Sequence, residues 1–150
     1  QYSGSDERNA NYTHATWDDI NEMIASGLVE VQNHTYNMHA NQGGRKGCMR
    51  KKGEPVEAYQ QALREDVGKM QSRMEEMTGV IPTTFVYPFG AISKEARPVL
   101  KELGFQATLV CESRTNTLTD DPECLYGLGR YLRPSGIDSK TYFTKTVKLP

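Results

Sequence analysis

Apolar positions recur along this chain at two distinct periods. In "TWDDINEMIASG", Trp17, Ile20, Met23 and Ile24 fall at helical spacing behind Thr16, which suits an N-cap, and Gly27 closes the run. "LVEVQ" (28–32) then reads as a short strand. "VEAYQQALREDVGKMQSRMEEMTG" (56–79) is amphipathic and predicts a long helix, with Met70, Met74 and Met77 at core spacing. "TTFVYPFG" (83–90) predicts a strand running into a Pro-Phe-Gly turn. "SKEARPVLKELG" (93–104) predicts a helix that ends on Gly104, bent or shortened at its start by Pro98. "FQATLV" (105–110) and "LYGLGRYLR" (125–133) predict two further strands, and a short helix begins near Ser139.

Between these elements lie a polar start, "QYSGSDERNANY", and a Gly-rich basic loop, "ANQGGRKGCMRKKGEP" (40–55). Helices alternate with strands throughout. That order predicts a parallel sheet with helices packed outside, an α/β sheet or barrel. Chemistry in such folds collects on loops beyond the C-terminal strand ends. Three loops hold that position here: the one with His34 and His39, the Pro-Phe-Gly turn, and residues 111–114. They are expected to share one rim.

Size and charge narrow the function classes. The 150 residues suffice for one domain, and 37% hydrophobic with 25% charged residues is ordinary for a globular protein. A formal net charge of −1 gives no overall attraction to nucleic acid or an anionic membrane. The basic loop lacks interleaved aromatics and reads as a solvated face, so no nucleic acid is expected. No membrane span or signal peptide is visible. The chain begins at Gln1, so a processed or excised piece is expected. Cys48, Cys111 and Cys124 show no C-x-x-C spacing, which argues against a cysteine zinc site. Cys111 and Cys124 could pair in an oxidising compartment, or all three could stay thiols.

"VEVQNHTYNMHA" (29–40) holds two of the three histidines. Neutral imidazole is the commonest protein ligand for zinc-like metals. Residues five apart do not align well on a continuous helix, so a turn between His34 and His39, or one tightened helical turn, is expected, with Thr35 and Asn37 free to fix it by hydrogen bonds. Solvated loop histidines are the other reading of the spacing.

"TWDDINEMIASGLVEVQNHTYNMHA" resembles the second motif of the polysaccharide deacetylases, the NodB-homology or carbohydrate esterase 4 family. Its H-T-x-x-x-H is closest to the branch acting on poly-N-acetylglucosamine, where the wider family has H-[ST]-x-x-H. "TTFVYPFGAISKEARPVLKELGFQATLV" resembles the third motif with the helix and strand beyond it, and "LGRYLRPSG" is similar to a late stretch of many bacterial members. The resemblance runs from about residue 13 to the end with the motifs in order.

It implies a distorted (β/α) barrel of the NodB type and a divalent metal, usually zinc, held by two histidines and an aspartate. A metal-activated water attacks an acetyl carbonyl, a neighbouring aspartate serves as general base, and acetate leaves a sugar amine. Carried over by position, His34 and His39 are metal ligands. The backbone N–H of Phe89 helps hold the oxyanion, and Tyr87, Pro88 and Arg130 contact the polysaccharide substrate. Arg130 and Arg133, flanking Tyr131, could instead pair with surface acids. An N-acetylglucosamine polymer, peptidoglycan or exopolysaccharide, implies an extracellular or cell-surface location. The alternative is a non-catalytic carbohydrate-binding domain on the same fold.

The pattern breaks in three places. The family's first motif, T-F-D-D-G, which supplies the third ligand and the base, is not in the chain. The expectation is therefore a partial deacetylase domain over 1–150, lacking the first strand-helix-strand, with an upstream segment completing the site. "TWDDI" is a poor substitute, because Asp19 sits where a capping carboxylate belongs, so neither it nor Asp18 is expected to be catalytic. Val86 replaces the third motif's arginine, and no late histidine provides a general acid. His14, the remaining imidazole, reads as a surface or rim residue.

Overall fold

A computed structural model describes residues 15–148. The first helix, α1 (Trp17–Ala25), starts as its sequence requires. Asp19 N–H donates to the Thr16 hydroxyl at 3.1 Å, and Thr16 N–H donates to the Asp19 carboxylate at 2.9 Å, closing a capping box. Asp19 is thereby committed to helix initiation. His14 and the polar start lie outside the described residues.

The "LVEVQ" strand does not form a ladder. Leu28 is 89% exposed, and a single parallel bridge, Asn33 to Phe85, ties the segment's end to the sheet. Gln32 answers a sheet amide with its side chain instead, Thr84 N–H donating to Oε1 at 2.8 Å. One flank of this segment has a neighbour and the other has none among the described residues, so most of its backbone gains nothing by extending into a ladder.

The basic loop contains structure that its composition hides. Strands β1 (Asn41–Gln42) and β2 (Arg45–Lys46) form an antiparallel hairpin over Gly43 and Gly44, both at positive φ. The loop then dives inward, and Cys48 is fully buried, accepting the Tyr59 hydroxyl at its carbonyl. Burial pushes the Cys48 thiol up to about 12, so it is an inert packing group. All three cysteines are free thiols.

Helix α2 (Val56–Thr78) buries Tyr59, Leu63, Val67 and Met74; Met70 and Met77, expected in the core, are only half-buried. The buried stripe is set instead by aromatic and branched residues spaced four apart at the start of the helix. Strand β3 (Thr84–Val86), helix α3 (Ala96–Glu102), strand β4 (Ala107–Leu109) and strand β5 (Tyr126–Leu128) come next. Pro98 falls in the first turn of α3, where its missing N–H leaves no bond unmade. The short α4 (Ser139–Thr141) passes into a π turn.

The sheet is parallel in the order β3-β4-β5, as the alternation predicts. Phe85, Tyr87, Val99, Leu100, Phe105 and Val110 join the α2 stripe in one core. On the other sheet face Thr84, Val86, Ala107 and Leu109 are half-buried, and the sheet does not close into a barrel. No helix among the described residues is long and apolar enough to cross a membrane.

Candidate metal and oxyanion site

The parallel bridge at Asn33 sets the site's geometry. Val86 N–H donates to the Asn33 carbonyl at 2.9 Å, which brings the next residue, His34, alongside the end of β3. There His34 Nδ1 meets the Val86 carbonyl at 2.6 Å. A carbonyl only accepts, so Nδ1 carries the proton and Nε2 keeps its lone pair free, the tautomer that a metal ligand needs. Val86, the departure from the third motif's arginine, thus contributes its backbone.

The chain then turns. Thr35 sits at φ 77, in the left-handed region, and the turn returns His39 to His34 with ring centroids 4.9 Å apart. That separation lies within the span that one ion held by two ring nitrogens requires. His39 also lies 4.6 Å, centroid to centroid, from the half-exposed Phe89 ring. Phe89 is the second non-glycine of the site in left-handed backbone, at φ 57. Two such residues, one in each converging loop, mark where the fold tolerates local strain.

The Pro88–Gly90 turn closes with Gly90 N–H donating to the Tyr87 carbonyl and Ala91 N–H to Pro88, so neither closing bond uses the Phe89 amide. Gly90 is required: a Cβ there would stand 2.9 Å from the Cys111 nitrogen, at φ +64. This close approach draws residue 111 onto the same rim. Arg130 completes it, with Nε donating to the Val110 carbonyl at 3.0 Å and Nη2 3.2 Å from Cys111 Sγ. The three loops expected to converge do so.

Not every expected contact residue faces outward. Tyr87 is 3% exposed and packs edge-on against Phe85, and Pro88 is fully buried. Strand alternation explains Tyr87: it shares a face with Phe85, two residues before it, and that face is the core. Both side chains support the turn that carries Phe89. Arg133 holds the Pro134 and Ile137 carbonyls and covers the Tyr142 ring, a structural role.

Burial holds the His34 pKa below the ordinary imidazole value, with the His39 and Arg130 charges adding to the effect and the Val86 bond opposing it. The ring is therefore neutral at pH 7. Because the unfolded chain binds this proton more tightly, the contribution to stability is intact above about pH 6.5 and is lost as pH falls toward the folded-state value. An NMR titration of the metal-free chain is expected to put the His34 midpoint below that of a free imidazole, and Arg130→Ala to raise it. An unshifted midpoint contradicts the half-buried placement.

The two imidazoles fit part of a metal's coordination sphere. Among the described residues no group of three or more His, Cys, Asp or Glu side chains gathers to complete it. Two site-building residues escaped sequence reasoning. Asn33 is fully buried, donates to the Val67 carbonyl and to Gln71 Oε1, and accepts from Thr35 N–H. Asp66, also on α2, accepts two loop amides. The α2 partners lie about thirty residues or more away from the histidines' loop, beyond the reach of any local pattern.

A family model described as polysaccharide deacetylase matches residues 7–108. A poly-β-1,6-N-acetyl-D-glucosamine N-deacetylase of Escherichia coli K12 is 30% identical over 112 residues, 66% of this chain and 17% of that protein. Among solved structures, a de-N-acetylase from Aggregatibacter actinomycetemcomitans superposes with a TM-score of 0.67 at 24% identity, over 90% of this chain and 56% of that one. IcaB from Ammonifex degensii gives 0.68 at 23% identity, over 91% and 53%. The chain therefore has the α/β fold of these NodB-type domains and spans a minor part of the curated relative's length.

Proposed function

We propose, from the premise that this chain belongs to the polysaccharide deacetylase family, that it carries the histidine and oxyanion half of a site removing N-acetyl groups from an N-acetylglucosamine polymer. The observation that supports this most is the meeting of two imidazoles with the Phe89 turn on one strand-end rim.

His34 and His39 would hold a divalent metal, zinc being the ion best matched to neutral imidazole. Such an ion supplies Lewis acidity, polarising the acetyl carbonyl and lowering the pKa of water toward about 7. The Val86 carbonyl keeps His34 in its ligating tautomer and points its ring. The Phe89 N–H, outside the turn's own closing bonds, would donate to the carbonyl oxygen as negative charge develops there. Its exposed ring offers an apolar face beside the histidines, and the Arg130 guanidinium adds a polar edge for sugar hydroxyls. Among the described residues no carboxylate joins these histidines in a group of three or more His, Cys, Asp or Glu side chains. The 150-residue chain alone is therefore expected to release little acetate.

A β-1,6-linked polymer is favoured by the curated relative's own name, and a polymer of that kind places the action outside the cell or at its surface. The test is acetate release from poly-β-1,6-N-acetylglucosamine by the full-length gene product with zinc. His34→Ala and His39→Ala are each expected to remove it, by about 100-fold or more on the order-of-magnitude scale of lost metal chemistry. A full-length product that binds the polymer but releases no acetate supports the carbohydrate-binding alternative instead.

A further inference from the structure

The loop between the two histidines has five peptide links and an exposed surface, yet it holds His39 against His34. Something outside the loop must select that arrangement. We infer that Asp66 of α2 is a positioning residue for the histidine pair: its carboxylate grips the intervening backbone and so sets the distance between the rings. This rests on the metal reading above for its consequence, though not for its geometry.

Asp66 Oδ1 accepts from Tyr36 N–H at 2.9 Å, and Oδ2 accepts from Asn37 N–H at 2.9 Å. One carboxylate thus takes two consecutive amides. Thr35, the residue just before these two amides, is in left-handed backbone at φ 77, so the carboxylate grips the chain directly after the strained turn. The Asp66 bonds thus hold the backbone that follows the strained Thr35. A bond from a carboxylate to an N–H is about twice as strong as a neutral one, enough to offset a residue held in an unfavourable conformation.

The same helix also grips the loop's root. Asn33, one residue before His34, donates to the Val67 carbonyl at 3.2 Å and to Gln71 at 3.0 Å. The root and the middle of the histidine segment are consequently both tied to α2, which packs against the sheet. His34 receives its orientation from β3 through Val86, and His39 receives its position through the Asp66 grip. Asp66 touches neither imidazole, which makes it a positioning group and not a ligand.

The test uses cobalt(II) alone as a spectroscopic probe, the full chain, and amide hydrogen exchange. Asp66→Ala is expected to weaken cobalt affinity by about 10–100-fold, the usual loss when a ligand's outer support is removed. It is also expected to remove exchange protection at Tyr36 and Asn37 while leaving β3 and β4 protected. Asp66→Asn, which keeps one acceptor, should fall between it and the unaltered chain. Arg64→Ala, on the same helix as Asp66, breaks the Arg64 pair with Glu102 of α3; it controls for a general loss of stability and should leave both readouts unmoved. Should Asp66→Ala fail to fold, Asp66→Asn decides the matter. Unchanged exchange at the two amides in either folded variant overturns the inference. If the unaltered chain binds no cobalt through its histidines, the metal reading falls, and the exchange data still judge the grip.

Discussion

Gly47→Ala is expected to destabilise the fold by roughly 2–4 kcal/mol, the joint cost of left-handed backbone at a non-glycine and of overpacking. Gly47 directly succeeds the β1–β2 hairpin at φ +55, and the loop there presses on the Pro-Phe-Gly turn. An added Cβ would lie 2.7 Å from the Pro88 carbonyl oxygen and 3.0 Å from Pro88 Cβ. The first of these is backbone, so it cannot swing aside. Relief requires moving the turn itself, and with it the Phe89 amide and the ring that packs on His39. Gly44→Ala is the matched control: it also has a positive φ, +74, but meets nothing within 4 Å. Urea unfolding with an unchanged slope should show Gly47→Ala losing clearly more than Gly44→Ala. Equal losses would mean that the close approach of hairpin to turn contributes nothing.

This hairpin also shows what the sequence disclosed and what it hid. Local devices were legible. Thr16 and Asp19 form their capping box because both partners lie within one helical turn. The strand ending in "YPFG" and the alternation that forces parallel strands came through for the same reason, since turn chemistry and period are short-range properties. "GG" between polar pairs was a hairpin signal too, masked by the run of basic residues around it.

The family resemblance assigns Tyr87 a substrate contact, while its burial follows from strand alternation. Its parity with Phe85 assigns the ring to the core, where at 3% exposure it is stabilised by packing. Asn33 and Asp66 could not be read at all. Their roles depend on α2 crossing beneath the histidine loop, and the crossing is a product of the sheet order. The predicted strand at residues 28–32 failed differently: its β-branched composition was right, but a ladder needs a partner along its whole length.

The second large effect concerns the histidines themselves. With two imidazoles and no third side chain gathered beside them among the described residues, metal binding by this chain should be weak and wholly dependent on both rings. A single remaining imidazole cannot chelate, so either substitution removes the advantage of the second ligand being already in place. His34→Ala costs more than affinity: it also leaves the Val86 carbonyl without its ring partner at a half-buried position. His39 is exposed, and His39→Ala should leave stability within about 0.5 kcal/mol of the unaltered chain, as surface substitutions commonly do. His39→Ala is therefore the cleaner probe, because it separates ligation from folding.

Cobalt(II) or zinc titration of the unaltered chain beside His39→Ala, with both shown equally folded, puts the shared-ion geometry to its most direct test. One weak site in the unaltered protein that disappears in His39→Ala is the result expected of two rings gripping one ion. Tight stoichiometric binding that survives the substitution would contradict it, and would place the metal somewhere other than this rim.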